Sequence, residues 1–307
     1  MNRREFFKKS LQAGLLTGTV ATFGNYHKLF ANSKIYTPPN FDLVAIKGGM
    51  PDVMFDKAIA SLGGMKSFVK KGQTVVVKPN IGWDVSPERA GNTNPLLVNR
   101  IIKHCFEAGA KDVYVFDHTC DDWKKSYSTS GIERTVKDAG GKIVSGASEE
   151  YYQDVTISTG EKLKTAKVHE LILSCDVFIN VPVLKSHGSA ELTMSMKNLM
   201  GIVWDRRFWH RNDLHQCIAD FAAYRKPDLN IIDAYNVMIK NGPRGVSTND
   251  VIQMKSQLIS TDMVAIDAAA AKLISYDPTA INYIKLASEK NIGEIDLNKL
   301  SINRIIM

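Results

Sequence analysis

The sequence predicts an α/β fold: a largely parallel sheet with flanking helices, a site at the carboxyl ends of the strands, and an inserted hairpin. Three observations carry this. The runs QTVVV (73–77), DVYVF (112–116) and DVFINVPV (176–183) are almost continuously apolar and rich in β-branched residues, as befits strands covered on both faces. Between the first two lies LLVNRIIKHCFEAG, which has helical spacing, and strand, helix, strand in that order makes a parallel βαβ unit. Each run also stops at side chains with chemistry to offer, and in parallel sheets ligands bind beyond those ends.

In chain order, Asn2-Arg3-Arg4-Glu5-Phe6-Phe7-Lys8 resembles a twin-arginine export signal, and the uncharged segment LQAGLLTGTVATFG after it is too short to span a bilayer comfortably. Residues 1–31 are therefore expected to be an export signal cleaved near Ala31, read by the twin-arginine export machinery and leaving no stable membrane anchor. The mature protein is expected in the periplasm. Residues 32–40 read as a proline-rich linker and residues 41–307 as the α/β domain.

Within that domain, 41–46 is a predicted strand and 52–69 a predicted helix, stopped by Gly72. After the strand at 73–77, Thr93 or Asn94 can cap a helix with Pro95 in its first turn and Gly109 at its end. The strand at 112–116 is followed by a helix ending near Asp138, a short strand at 142–144, and a hairpin over 155–168 turning at Thr159-Gly160. Residues 213–224 are helical and 229–232 a strand; Asn241-Gly242-Pro243-Arg244-Gly245 is a turn. A strand at 256–260, an alanine-rich helix at 262–274, a helix at 281–288 and a strand at 301–306 complete the chain.

Composition excludes several classes. The apolar fraction is 44% and the charged fraction 23%, ordinary for a globular protein. The formal charge of +7 shrinks to about +3 beyond residue 31, with 34 basic against 31 acidic residues, so no nucleic-acid partner is expected. Cys105, Cys120, Cys175 and Cys217 are widely spaced, without C-x-x-C, and no iron–sulfur cluster is expected. Neither G-x-x-x-x-G-K-[ST] nor G-x-G-x-x-G occurs.

The strand ends supply the candidate site. The first delivers Lys78 and Asn80, the second Asp117 and His118, the third Lys185 and His187, the fourth Asp233. Helix starts after Thr93 and near Thr193 add free amides, which with the lysines suit a small anionic ligand. His187, Lys197 and Lys185 are the candidate catalytic residues: imidazole moves protons near neutrality, and an ammonium stabilises charge. Lys78, Asn80, Thr93, Thr193 and Asn198 are the candidate substrate-binding residues, and Asp117, Asp233 and His210 the candidate ligands of a divalent metal.

These residues carry a resemblance. KPN at 78–80, Thr93 with Pro95, EAGAKDVYVFD at 107–117, VPVLKSH at 181–187, TMSMKNLMG at 193–201, Asp233, GPRG at 242–245 and STDMVAIDA at 260–268 resemble the family catalogued as domain of unknown function 362. Some of its members carry an added ferredoxin-like segment; this chain resembles the stand-alone form. His187 and Lys197, ten apart, also resemble the nickel-pincer lactate racemases, in which a lysine holds a pyridinium cofactor covalently. Here Ser195-Met196 replaces the Gly-Gly before that lysine, and His210 or His215 would have to supply the later metal-binding histidine. The resemblance implies a metal or a lysine-linked cofactor at Lys197. The expected function is that of an exported enzyme acting on a small carboxylate or phosphate compound; the alternative is a ligand- or cofactor-binding protein without turnover.

Overall fold

A computed structural model describes residues 41–307; the segments expected to be an export signal and a linker lie outside the described residues. A ten-stranded sheet is built from β1 (Leu43–Lys47), β2 (Thr74–Pro79), β3 (Asp112–Val115), β4 (Lys142–Ile143), β7 (Val177–Val181), β8 (Val183–His187), β9 (Glu191–Thr193), β10 (Leu229–Met238), β11 (Val251–Ser260) and β12 (Ile302–Ile306). The order across it is β12-β1-β11-β10-β7-β2-β3-β4, with β8 beside β10 and β9. Pairing is parallel from β10 to β4 and between β1 and β12, while β11 runs antiparallel to both its neighbours. The expected hairpin is present as β5 (Tyr152–Thr156) and β6 (Thr165–His169), a separate two-stranded sheet.

Strand side chains alternate between two apolar layers. Val75, Val77, Ile179 and Ile231 face α1 (Pro51–Ser61), α2 (Pro95–Glu107) and α4 (Ile132–Asp138), which follows α3 (Trp123–Thr129). Val76, Phe178 and Ile232 face the opposite layer. There lie α8 (Leu214–Tyr224), α9 (Met263–Leu273) and α10 (Asn282–Glu289). This double burial is why the strands read as continuous apolar runs. The short helices α5 (Glu170–Ser174), α6 (Ser195–Asn198) and α7 (Arg206–Arg211) lie in connections. Among the described residues, no helix is long and apolar enough to cross a membrane.

Several boundaries differ from the sequence reading, each for a local reason. The helix expected over 52–69 ends at Ser61, because Gly63 and Gly64 take positive φ. The strand expected to stop at Val77 runs through Lys78 and Pro79. The run at 176–183 is bent at Pro182, and beyond the bend β8 carries Lys185 and His187 on a strand, not a loop. The strand at 229 continues to Met238, leaving Asp233 in its middle, just before a bulge opposite β11.

Phe178, at the centre of the sheet and fully buried, reports on this packing. Phe178→Ala is expected to cost about 3–5 kcal/mol in urea unfolding.

Candidate functional site

Beyond the carboxyl ends of β2, β3 and β8 lies a cavity of about 440 Å³. Lys78, Asn80, Asp117, Lys185, His187, Thr193, Lys197, Asn198 and His210 all line it. Thr93 and Asp233 do not, and the structure gives both a different role. The Thr93 hydroxyl donates to the Val181 carbonyl (2.7 Å) and accepts from the Asn80 amide (2.8 Å), tying two loops together. Asp233 accepts from the amides of Asn94 (2.7 Å) and Tyr235 (3.0 Å), and burial pushes its carboxyl up to about 6.

The three lysines have unequal freedom. Lys78, 1% exposed, donates to the carbonyl and side-chain oxygens of Asn198 (both 2.7 Å) and forms an ion pair with Asp117 Oδ1 (3.0 Å), so its charge is committed within the protein. Its expected substrate contact gives way to a structural one. Lys185 donates to Gly91 O (2.6 Å) and Asn80 Oδ1 (3.1 Å), keeping one proton in reserve. Lys197, 9% exposed, has no hydrogen-bond or ion-pair partner among the described residues. Burial pushes Lys185 down to about 7 and Lys197 to about 8. Asn198 connects the set: its amide nitrogen donates to Asn180 Oδ1 (2.9 Å) and its oxygen accepts from Asn80 (3.1 Å). The Thr193 hydroxyl, opposite Lys185 across the β8–β9 pair, is buried without a partner among the described residues.

The expected helix-start amides are already occupied. Asp233 takes the amide of Asn94, and the Asn94 side chain takes that of Leu96. The amides of Ser195 and Met196, which open α6, donate to Asp267 on α9 (2.6 and 3.0 Å). Buried carboxylates of this chain hold the positions where a ligand anion was expected.

Two histidines are fixed in opposite tautomers. His187 Nδ1 accepts from the amides of Ser189 (3.1 Å) and Ala190 (3.2 Å), so the neutral ring carries its proton on Nε2. Burial, with Lys197 and Lys185 nearby, pushes its imidazolium down to about 2. The expectation that His187 moves a proton is corrected: it is a neutral donor with no vacant nitrogen. At His118 the bond runs the other way. Its Nδ1 donates to the Val203 carbonyl (3.0 Å), which leaves the Nε2 lone pair vacant, and the ring stacks on Trp204 with centroids 4.9 Å apart. Burial, with Arg206 nearby, holds it at about 4.

The expected metal ligands do not assemble. Asp117 is committed to Lys78 and to the Ile81 amide (2.6 Å), Asp233 lies elsewhere, and His210 stacks 6.3 Å from His187. Among the described residues, no group of three or more His, Cys, Asp or Glu could hold a metal ion. A lysine-linked group fits better, since Lys197 supplies a partnerless amine on the cavity wall. The other expected candidate, His215, lies near Glu191 (3.5 Å) and stacks on Tyr283, outside the lining.

Sequence reading missed Arg206 and Cys120. The Arg206 guanidinium donates to the carbonyls of His118 (2.7 Å) and Thr119 (2.8 Å) and reaches Cys120 Sγ at 3.7 Å, pinning α7 over the end of β3. No spacing rule joins positions 86–88 residues apart. Gly201 was quoted only as part of a motif. A Cβ there would sit 1.8 Å from Asp117 Oδ1 and 2.5 Å from Lys78 Nζ, so the ion pair exists only where that side chain is absent.

Residues 75–272 match the sequence profile described as domain of unknown function (DUF362). The thylakoid-associated protein sll1697 of Synechocystis sp. is 27% identical over 240 residues, covering 76% of this chain and 72% of that protein. Among solved structures, the lactate racemase apoprotein of Thermoanaerobacterium thermosaccharolyticum aligns over 77% of this chain and 58% of its own, at a TM-score of 0.48 and 11% identity. A crystallised Thermotoga maritima protein aligns over 78% of this chain and 60% of its own, at a TM-score of 0.41 and 12% identity. The chain spans less than two thirds of either solved protein.

Asp117→Ala is expected to strand the buried Lys78 charge and cost about 3–5 kcal/mol. Gly201→Ala should act through the same pair, so the double variant should lose far less than the two single losses added together, as read in a denaturant double-mutant cycle.

Proposed function

The chain belongs to the DUF362 family, and on that premise we propose that it is an exported enzyme acting on a small anionic substrate, a carboxylate or phosphate compound. The observation that carries this reading is Lys197, a buried ammonium on a cavity wall with no counter-charge among the described residues. A buried charge left unpaired is costly, and a ligand anion seated against it offsets that cost. Lys185 adds its spare proton and Thr193 its partnerless hydroxyl.

The histidines divide the chemistry. His118 Nε2 is the acceptor for a proton leaving the substrate, and His187 Nε2–H is the donor that steadies the negative charge so created. A ligand anion beside His118 raises its affinity for a proton above that of the empty site. If the pocket binds without turnover, the ligand will be recovered chemically unaltered from the protein, with His118 present or replaced.

Sulfate is a suitable probe because its charge is constant across the neutral range. Binding needs the ammonium forms, so affinity should be highest below pH 7 and fall as pH rises past the values near 7 for Lys185 and 8 for Lys197. Titration calorimetry at pH 6 and 9 measures this; affinity that rises with pH would sink the reading. Lys197→Met should weaken sulfate binding by about tenfold or more at pH 6. Export is tested separately: replacing Arg3 and Arg4 by Lys in the native host should retain the protein in the cytoplasm, as read by cell fractionation.

A further inference from the structure

A second cavity, about 920 Å³, adjoins the first and shares His118, Cys120, Arg206 and Arg207 with its wall. It lies between the β5–β6 hairpin and α7, and the reading above leaves it without a task. Leu163, Trp204 and Phe208 form an apolar side, and Lys162 and Arg207 have no side-chain partner among the described residues. The acids nearby are mostly committed: Glu149 pairs with Lys167, and Asp205 accepts from the Phe208 amide (3.3 Å), leaving Asp154.

We propose that the two cavities form one bipartite site for an elongated organic dianion with an apolar middle. The inference rests on the anionic-substrate reading and extends it. One charged end would sit with Lys185 and Lys197, the body would pass His118 and Arg207 at the junction and lie along Trp204 and Phe208, and the second charged end would meet Lys162. Three features point the same way. The two linings share four residues, Lys197 in the first and Lys162 in the second have no side-chain partner among the described residues, and Trp204 and Phe208 belong to the second. A compact anion fills only the first cavity and leaves Trp204, Phe208 and Lys162 in water. Arg206 is held in place in this scheme: three of its five N–H donors go to the carbonyls of His118 and Thr119 and to Cys120 Sγ, which makes it the fixed sill between the two chambers. His118 stands at that sill, so the bond that loses a proton would be near the dianion's first charged end.

The test is titration of the full chain with linear α,ω-dicarboxylates from succinate to sebacate, with monocarboxylates of matching length, and with sulfate. Affinity for the dicarboxylates should rise with length by at least about tenfold, since each methylene laid on the apolar wall contributes. Long dicarboxylates should also bind more tightly than the matching monocarboxylates. Lys162→Ala should weaken only the long dicarboxylates, on the order of twofold to fivefold. Phe208→Ala should weaken the long members of both series by about fivefold. Neither residue lines the first cavity, so sulfate binding should hold in both variants. Sulfate binding with no length dependence, or with no advantage of the second carboxylate, would overturn the bipartite site and leave the anionic pocket standing. Failure of sulfate and every carboxylate to bind would overturn both.

Discussion

The ion pair between Lys78 and Asp117 is the constraint around which the cavity is assembled. The partners are 1% and 3% exposed, so both charges have left water, and they persist because each faces the other and accepts or donates further bonds within its surroundings. Asn198 takes two protons of the ammonium, and Ile81 donates to the carboxylate. Tyr127 bonds the backbone on either side of Asp117, and the Gly201 carbonyl accepts the amide of His118. One pair thus fastens β2, β3 and the α6 segment to a common point. The other side chains of the site take their positions from those three elements.

From this point the positive charge is graded. The same residue type serves as a structural bolt at 78, as a partly committed group at 185 and, among the described residues, as a cation without a partner at 197, and the difference lies in how many protons the surroundings consume. The carboxylates are graded too. Asp233 and Asp267 are buried against backbone amides, with Asp267 held at about 8, and act as braces for the turns that carry Asn94 and Ser195. Asp117 alone among them borders the cavity, which is why its overall character is cationic.

Much of this was legible in the sequence, and the limits have physical causes. Apolar runs ending in Lys78, Asp117 and Lys185 announced both the sheet and the edge where side chains meet, because double-sided burial writes itself into composition. What each group is bonded to was not legible. Asp233 read as the end of a strand because polarity begins there, yet β10 runs on through it, held by pairing with β11. The amides near Thr193 read as vacant because Asp267, their partner, lies about seventy residues away. The tautomers of His118 and His187 depend on a carbonyl and on two amides that only folding brings into reach. Residue type told where the chemistry is; hydrogen-bond direction, which decides who gives and who receives, is set only by the fold.

The bare α-carbon at position 201 has a consequence for reading kindred sequences. Lysines and histidines can be kept or exchanged there for many reasons, since any of them also serves as a solvated surface group. A hydrogen in place of a methyl at 201 has one evident use, to let a carboxylate and an ammonium close against the backbone. Glycine at that position is therefore a more discriminating signature of an intact centre than the reactive groups themselves. A relative bearing alanine there, however faithful elsewhere, would have had to rebuild its charge centre on other terms.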